Sequence, residues 1–243
     1  MPDGSTAVRG GICGPQWSEA YCGGAWVLTG YDEVMAALRD PRFSVRRAAR
    51  WINSGLSDAE DGGRASMPAR LKFKRVFARS LLFLDGRAHR RLRGVIQVGL
   101  RPADLQRQAP AIAAIADRLI ARIVADTAED FDFVQAFARP LPALVIANLL
   151  GLVQRVPDEF VDWSADIAAF IGSPAPDARQ TLAAQQALAD MCDFFAQTMA
   201  SSDGAAAEGL LAQITLAREE RGISGIEALA QCCTLLFAGY ETT

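Results

Sequence analysis

The chain has 243 residues, a formal net charge of −3 and 51% hydrophobic content, enough apolar material to bury a sizeable core. Its five cysteines, Cys13, Cys22, Cys192, Cys232 and Cys233, are odd in number and lack metal-site spacing. They exclude a disulfide framework and fit a reducing cytosol. No basic-then-apolar leader opens the sequence, and its best membrane candidate, Ala143 to Val153, is too short and carries Asn148, so a cytoplasmic protein without membrane anchoring is expected.

In chain order, residues 1–24 are Gly-rich without a period and read as an irregular arm. Trp26 to Thr29 is expected as a short strand and Tyr31 to Arg39 as a helix stopped by Asp40-Pro41. Ser54 to Gly63 is a polar loop, and Met67 to Leu84 a basic, partly apolar connector. Gly86 to Val98 reads as a helix. Pro102 opens another to about Val124, with Leu105, Ile112, Ile115, Leu119 and Ile123 as its apolar stripe. Helices are further expected over Pro142 to Leu150, from Pro157 to near Gly172, over Pro176 to Ala200, and over Leu210 to Glu220. Ser224 caps a last helix with Glu227 closing a capping box. Residues 25–243 form one mainly α domain, with no repeat or linker.

Charge is uneven. Between Arg39 and Arg93 there are 15 Lys/Arg against 5 Asp/Glu. A solvated face, a nucleic-acid surface and a site for anionic groups all fit such a block, but no nucleic-acid-binding motif accompanies it. His89, the only histidine, stands four residues before Arg93, which on a helix places both on one face. Two such heads suit a pair of carboxylates; the alternative is a surface helix whose histidine meets water.

The last helix carries the sharpest signal. Ile226 to Phe237 is nearly apolar all round, as in a helix buried on every side, and then come Ala238-Gly239-Tyr240-Glu241-Thr242-Thr243. Burying Glu241 without a partner is costly or keeps it protonated, and Gly239 costs about 1 kcal/mol relative to Ala inside a helix. Both penalties at one place mark a ligand; a Gly-capped helix end is the plainer reading.

This hexapeptide resembles the Ala/Gly-Gly-x-Asp/Glu-Thr-Thr/Ser pattern of the long central helix of the cytochrome P450 family. Trp26 to Ser44 is similar to the family's first strand and following helix. Phe83 to Arg93 is similar to the His-x-x-x-Arg helix of its soluble bacterial members, and Phe131 to Gly151 to the segment after it. The resemblance, in family order from about Trp26 to Thr243, implies a P450-like helical fold with a short N-terminal β segment. It implies haem b, with His89 and Arg93 on the propionates and Ala238 and Gly239 facing the group. Glu241 and Thr242 would deliver protons to dioxygen. Substrate contacts would come from Phe83, Ile167, Phe237 and Ala238, around a small apolar molecule. A ferredoxin or flavoprotein would supply electrons, docking near Arg90 and Arg91; neither nucleic acid nor membrane is implied as a partner.

The family's Glu-x-x-Arg helix and its Phe-x-x-Gly-x-x-x-Cys-x-Gly loop have no counterpart in the 243 residues, so no axial metal ligand is assigned. The sequence therefore reads as the N-terminal portion of a haem-thiolate monooxygenase, truncated after the Ala-Gly-x-Glu-Thr-Thr helix and inactive by itself. The competing expectation is a non-catalytic helical binding or scaffold remnant that binds no haem.

Overall fold

A computed structural model describes residues 14–20, 24–46, 67–126, 130–152, 156–157, 159–173, 176–201 and 209–241, leaving aside the side chains of 67–69 and 241. Residues fall into two compact units, Met1–Ser44 and Val45–Thr243. In the first, β1 (Gln16–Ser18) pairs antiparallel with β2 (Ala25–Val27), and Trp17 meets Trp26 edge-on across the ladder. β1 lies inside the stretch expected to be irregular: three residues are too few to show a period, and the pairing partner is what makes them a strand. Helix α1 (Tyr31–Arg39) has the expected bounds and ends as Asp40 turns extended before Pro41.

The second unit is helical: α2 (Met67–Phe77), α3 (Gly86–Gly99), α4 (Pro102–Ala125), α5 (Pro140–Leu150), α6 (Phe160–Gly172), α7 (Ala178–Ala200), α8 (Gly209–Glu220) and α9 (Gly225–Glu241). The expected 67–84 connector is instead α2 followed by a 3-10 turn at Leu81–Phe83. Phe73, Val76 and Phe77 recur at helical spacing and are buried, while the intervening Lys74 and Arg75 disguise that stripe in the sequence. A π-helical turn at Val134–Ala138 precedes α5 and was not anticipated. Gly151 closes α5 in the left-handed region, with a φ of 86°, where its lack of a Cβ removes the steric cost.

The expected stripe on α4 is only half used. Ile115 and Leu119 are buried, but Leu105 is 45% exposed and Ile112 36% exposed. Helix α9 is the hub of the unit, packing against α2, α5, α6, α7, α8 and the 3-10 turn. Ala228, Ala230, Cys232, Cys233 and Leu236 on it are essentially inaccessible, as its all-round apolarity requires. Its start is fixed by the expected capping box: Glu227 N–H donates to Ser224 Oγ, and Ser224 N–H donates to Glu227 Oε2. Among the described residues, no helix is long and apolar enough to cross a membrane.

Candidate functional site

The site builds from the C-terminal end of α9. Ala238 is exposed there, whereas Phe237 before it is buried. Gly239 sits against α5, where a Cβ would lie 2.5 Å from Ile146 Cδ1. Tyr240 Oη accepts a 2.8 Å hydrogen bond from Arg139 Nε, and Arg139 Nη1 donates to Gln135 Oε1 at 2.7 Å. The Tyr240 bond holds the Arg139 guanidinium proton more tightly than usual. Tyr240 also borders a surface hollow of about 540 Å³ whose α6 wall is made of Ala165, Ala168, Ala169 and Gly172. Small side chains there leave the hollow open. The Glu241 side chain and Thr242 lie outside the described residues.

The expected substrate contacts sort into two environments. Phe83 and Phe237 both stack on Phe77, with ring centroids 5.4 and 6.4 Å away. Phe170 meets Phe73 and Phe77 edge-on. Phe83, Phe237 and Ile167 are all buried, so of the four expected contacts only Ala238 faces outward. Phe83 and Phe237 are thus brought together, but through a packed aromatic core.

On α3, Asp85 precedes the first turn and His89 and Arg93 follow on one face, half-buried and exposed respectively. Among the described residues neither side chain takes a hydrogen-bond or ion-pair partner. Arg90 is exposed, but Arg91 differs from expectation: it pairs with Glu227 on α9. An arginine so engaged packs α3 on α9 and is a poor docking group. Burial pushes the Glu227 carboxyl up, but bonds from the Ser224 amide and hydroxyl and from Arg91 outweigh it, leaving the group below the usual carboxylate range.

These donors test the fit of a haem. The free heads of His89 and Arg93 suit its carboxylate edge. The described cysteines do not suit its iron: Cys192, Cys232 and Cys233 are buried, with Cys192 Sγ 3.7 Å from Cys233 Sγ. Burial raises both Cys232 and Cys233 far above the usual thiol range, so they stay protonated and unreactive. Among the described residues no cluster of His, Cys, Asp and Glu could hold a metal ion.

Sequence reasoning missed a polar stripe on α9. Gln231 Nε2 donates to the Arg79 carbonyl at 2.7 Å, and its Oε1 accepts from the Leu81 amide at 3.3 Å. Thr234 Oγ1 lies 2.8 Å from Ser80 Oγ. Buried polar groups in an apolar run signal partners elsewhere in the chain, and that was the available cue.

Comparison with known proteins places this architecture. No protein-family model matches the chain. It is 30% identical over 224 residues to the cytochrome P450 monooxygenase PikC of Streptomyces venezuelae, covering 90% of this chain and 47% of that protein. It is 32% identical to mycinamicin IV hydroxylase/epoxidase of Micromonospora griseorubida, over 90% of this chain and 50% of that one. Among solved structures, a myxobacterial cytochrome P450, CYP267B1, in complex with myristic acid superposes with a TM-score of 0.71 at 25% identity, covering 95% of this chain and 54% of the other. The chain belongs to the cytochrome P450 family. CalO2 superposes equally well, with a TM-score of 0.71 at 27% identity, over 90% of this chain and 51% of that one. This P450 chain spans about half the length of the curated relatives it matches. The family's fold accounts for the central place of α9 and for the order of the helices before it.

Proposed function

We propose that this chain forms the oxygen- and substrate-facing part of a haem-dependent monooxygenase acting on a small, largely apolar organic molecule. The observation that carries the reading is the Ala238-Gly239-Tyr240-Glu241-Thr242-Thr243 sequence at the end of a helix buried on nearly every side. Haem b, ligated by a cysteinate, supplies oxygen activation when bound. His89 and Arg93 would hold its propionates, and the small residues Ala238 and Gly239 would lie beside it. Relatives named for hydroxylating mycinamicin IV and vitamin D3 support a hydrocarbon-rich substrate. Phe83, Ile167, Phe237 and Ala238 form the substrate side. Arg90 meets an acidic electron donor, a ferredoxin or a flavoprotein.

Inserting one atom of dioxygen into a C–H bond and reducing the other to water consumes a pair of electrons and a pair of protons. The proton supply must be metered, because bulk water in an apolar site diverts reductant into hydrogen peroxide. In this reading the Glu241 carboxyl would supply the proton and the Thr242 hydroxyl would pass it on. Proton transfer by a placed group is worth roughly 10²–10⁴ in rate. In the intact enzyme, Thr242→Ala is expected to keep consuming reductant while releasing more peroxide per reductant consumed. Glu241→Gln is expected to slow consumption itself. A Thr242→Ala variant with the parent's peroxide yield contradicts the relay.

One observation favours a second reading, a helical remnant that binds no haem: all three described cysteines are buried, and burial keeps Cys232 and Cys233 protonated. Haem uptake by the intact protein separates the two.

A further inference from the structure

The polar stripe on α9 is placed where it controls the aromatic cluster. Glu227, Gln231 and Thr234 follow at helical spacing and so share one face. Gln231 and Thr234 reach one turn, Gln231 at Arg79 and Leu81 and Thr234 at Ser80, while Glu227 reaches Arg91 on the following α3. Ser80, Gln231 and Thr234 are buried, at 2%, 2% and 8% exposure, in a unit whose core is mostly apolar. Three buried polar side chains in one place are retained only where their bonds are made.

The chemistry of each contact is directional. Gln231 uses both ends of its amide on the backbone of one turn, which a carboxylate or an apolar residue of the same size cannot do. Thr234 Oγ1 is also 2.5 Å from the Ala230 carbonyl. One hydroxyl carries one proton, so when Thr234 donates to that carbonyl, Ser80 donates to Thr234. Ser80 Oγ in turn accepts from the Leu82 amide, and the Ser80 carbonyl accepts from the Phe83 amide at 3.0 Å. The chain of bonds ends at Phe83, whose ring stacks on Phe77, and Phe77 stacks on Phe237. Phe237 lies three residues after Thr234, on the same side of α9.

We propose that Gln231 and Thr234 are positioning residues: they clamp the 79–82 turn onto α9, fix where Phe83 stands against Phe77 and Phe237, and so set which apolar shapes the site admits. The admission part rests on the monooxygenase reading; the clamp does not. Loss of either side chain frees the turn while the helices beneath it stay packed. The aromatic cluster then loosens from its Phe83 edge.

Two measurements test this. Hydrogen exchange of residues 1–243, without haem, is compared for the parent, Gln231→Met, Thr234→Val and Thr234→Ser. Exchange at Leu81, Leu82 and Phe83 is expected to quicken by about tenfold or more in Gln231→Met and Thr234→Val, as a lost buried bond implies, with α7 amides unchanged. Thr234→Ser keeps the hydroxyl and should restore the parent rate. Unchanged exchange at 81–83, or a rise spread equally over α7, overturns the clamp. In the haem-loaded intact enzyme, imidazole and 4-phenylimidazole are titrated as small and bulky probes. The ratio of their affinities is expected to shift several-fold in Thr234→Val and to return in Thr234→Ser. A constant ratio alongside raised exchange overturns the admission role. A parent that takes up no haem overturns the monooxygenase reading instead, and exchange alone still decides the clamp.

Discussion

Gly239 on α9 and Ile146 on α5 are in contact so close that glycine is the one residue fitting the present packing: a Cβ at 239 would stand 2.5 Å from Ile146 Cδ1 and 2.6 Å from Cγ1. The glycine therefore has a packing role at the helix crossing besides the open surface that the family resemblance assigns to it. Gly239→Ala is expected to destabilise the unit by about 1–3 kcal/mol through overpacking, despite the helix-propensity gain. Ile146→Ala removes the obstructing atoms, so the two substitutions should be non-additive, the double variant costing less than the sum. Urea denaturation of the four proteins measures the coupling; strict additivity contradicts the contact.

The Arg91–Glu227 pair predicts a pH dependence of determined sign. The Glu227 carboxyl is held below its unfolded value, about 4.3. As pH falls, the unfolded chain takes up this proton first, so the stabilisation is present above that value and is lost as pH falls through the folded one. Glu227→Gln keeps a capping-box side chain but loses the charge. The parent should exceed it at neutral pH by less than about 1 kcal/mol, since Arg91 is partly solvated. The two stabilities should converge as pH falls below the unfolded value. Parallel curves across that range contradict the assignment.

Cys232 and Cys233 should resist alkylation. Both are buried and protonated, so modification waits for the core to open. Peptide-resolved iodoacetamide labelling should run about a hundredfold or more slower than for a free thiol, and reach the free rate in denaturant. Rapid labelling in native buffer contradicts the packing of α7 on α9.

His89 and Arg93 should matter for haem retention, and their neighbours for other things. A hydrogen bond to a charged group is worth about 1.5–3 kcal/mol, so replacing both with Ala in the intact enzyme should weaken retention by about tenfold or more. Arg90→Ala should instead slow electron delivery and flatten its salt dependence. Arg91→Ala should lower stability through Glu227. Haem off-rates that are equal in all variants contradict the propionate assignment.

The sequence exposed the helices whose periodic apolar residues or caps speak for themselves. α1, α3, α4 and α8 fall within about two residues of expectation because Pro102, Asp40-Pro41 and similar breakers act locally. Ser224 and Glu227 announced the start of α9 for the same reason. Helix α2 was hidden because Lys72, Lys74 and Arg75 interrupt its stripe, and Lys72 finds Asp193 only across the fold. Likewise Gln231 and Thr234 looked incidental, since their partners at 79–81 are some 150 residues away in sequence. That His89 and Arg93 share one face of α3 was legible from spacing; their role toward a ligand came only from the family resemblance. That Arg91 is tied to Glu227 was not legible, because α3 and α9 meet only in three dimensions.

The most direct test is an absorption spectrum under carbon monoxide after reduction, taken with haem supplied to residues 1–243 and to the intact enzyme. The intact enzyme should give the band of a thiolate-ligated haem. Residues 1–243 should not, because the cysteines described in the fold are buried and burial keeps Cys232 and Cys233 protonated. An intact enzyme without that band would contradict the haem-thiolate monooxygenase reading, and the same band from residues 1–243 alone would contradict the account of the cysteines.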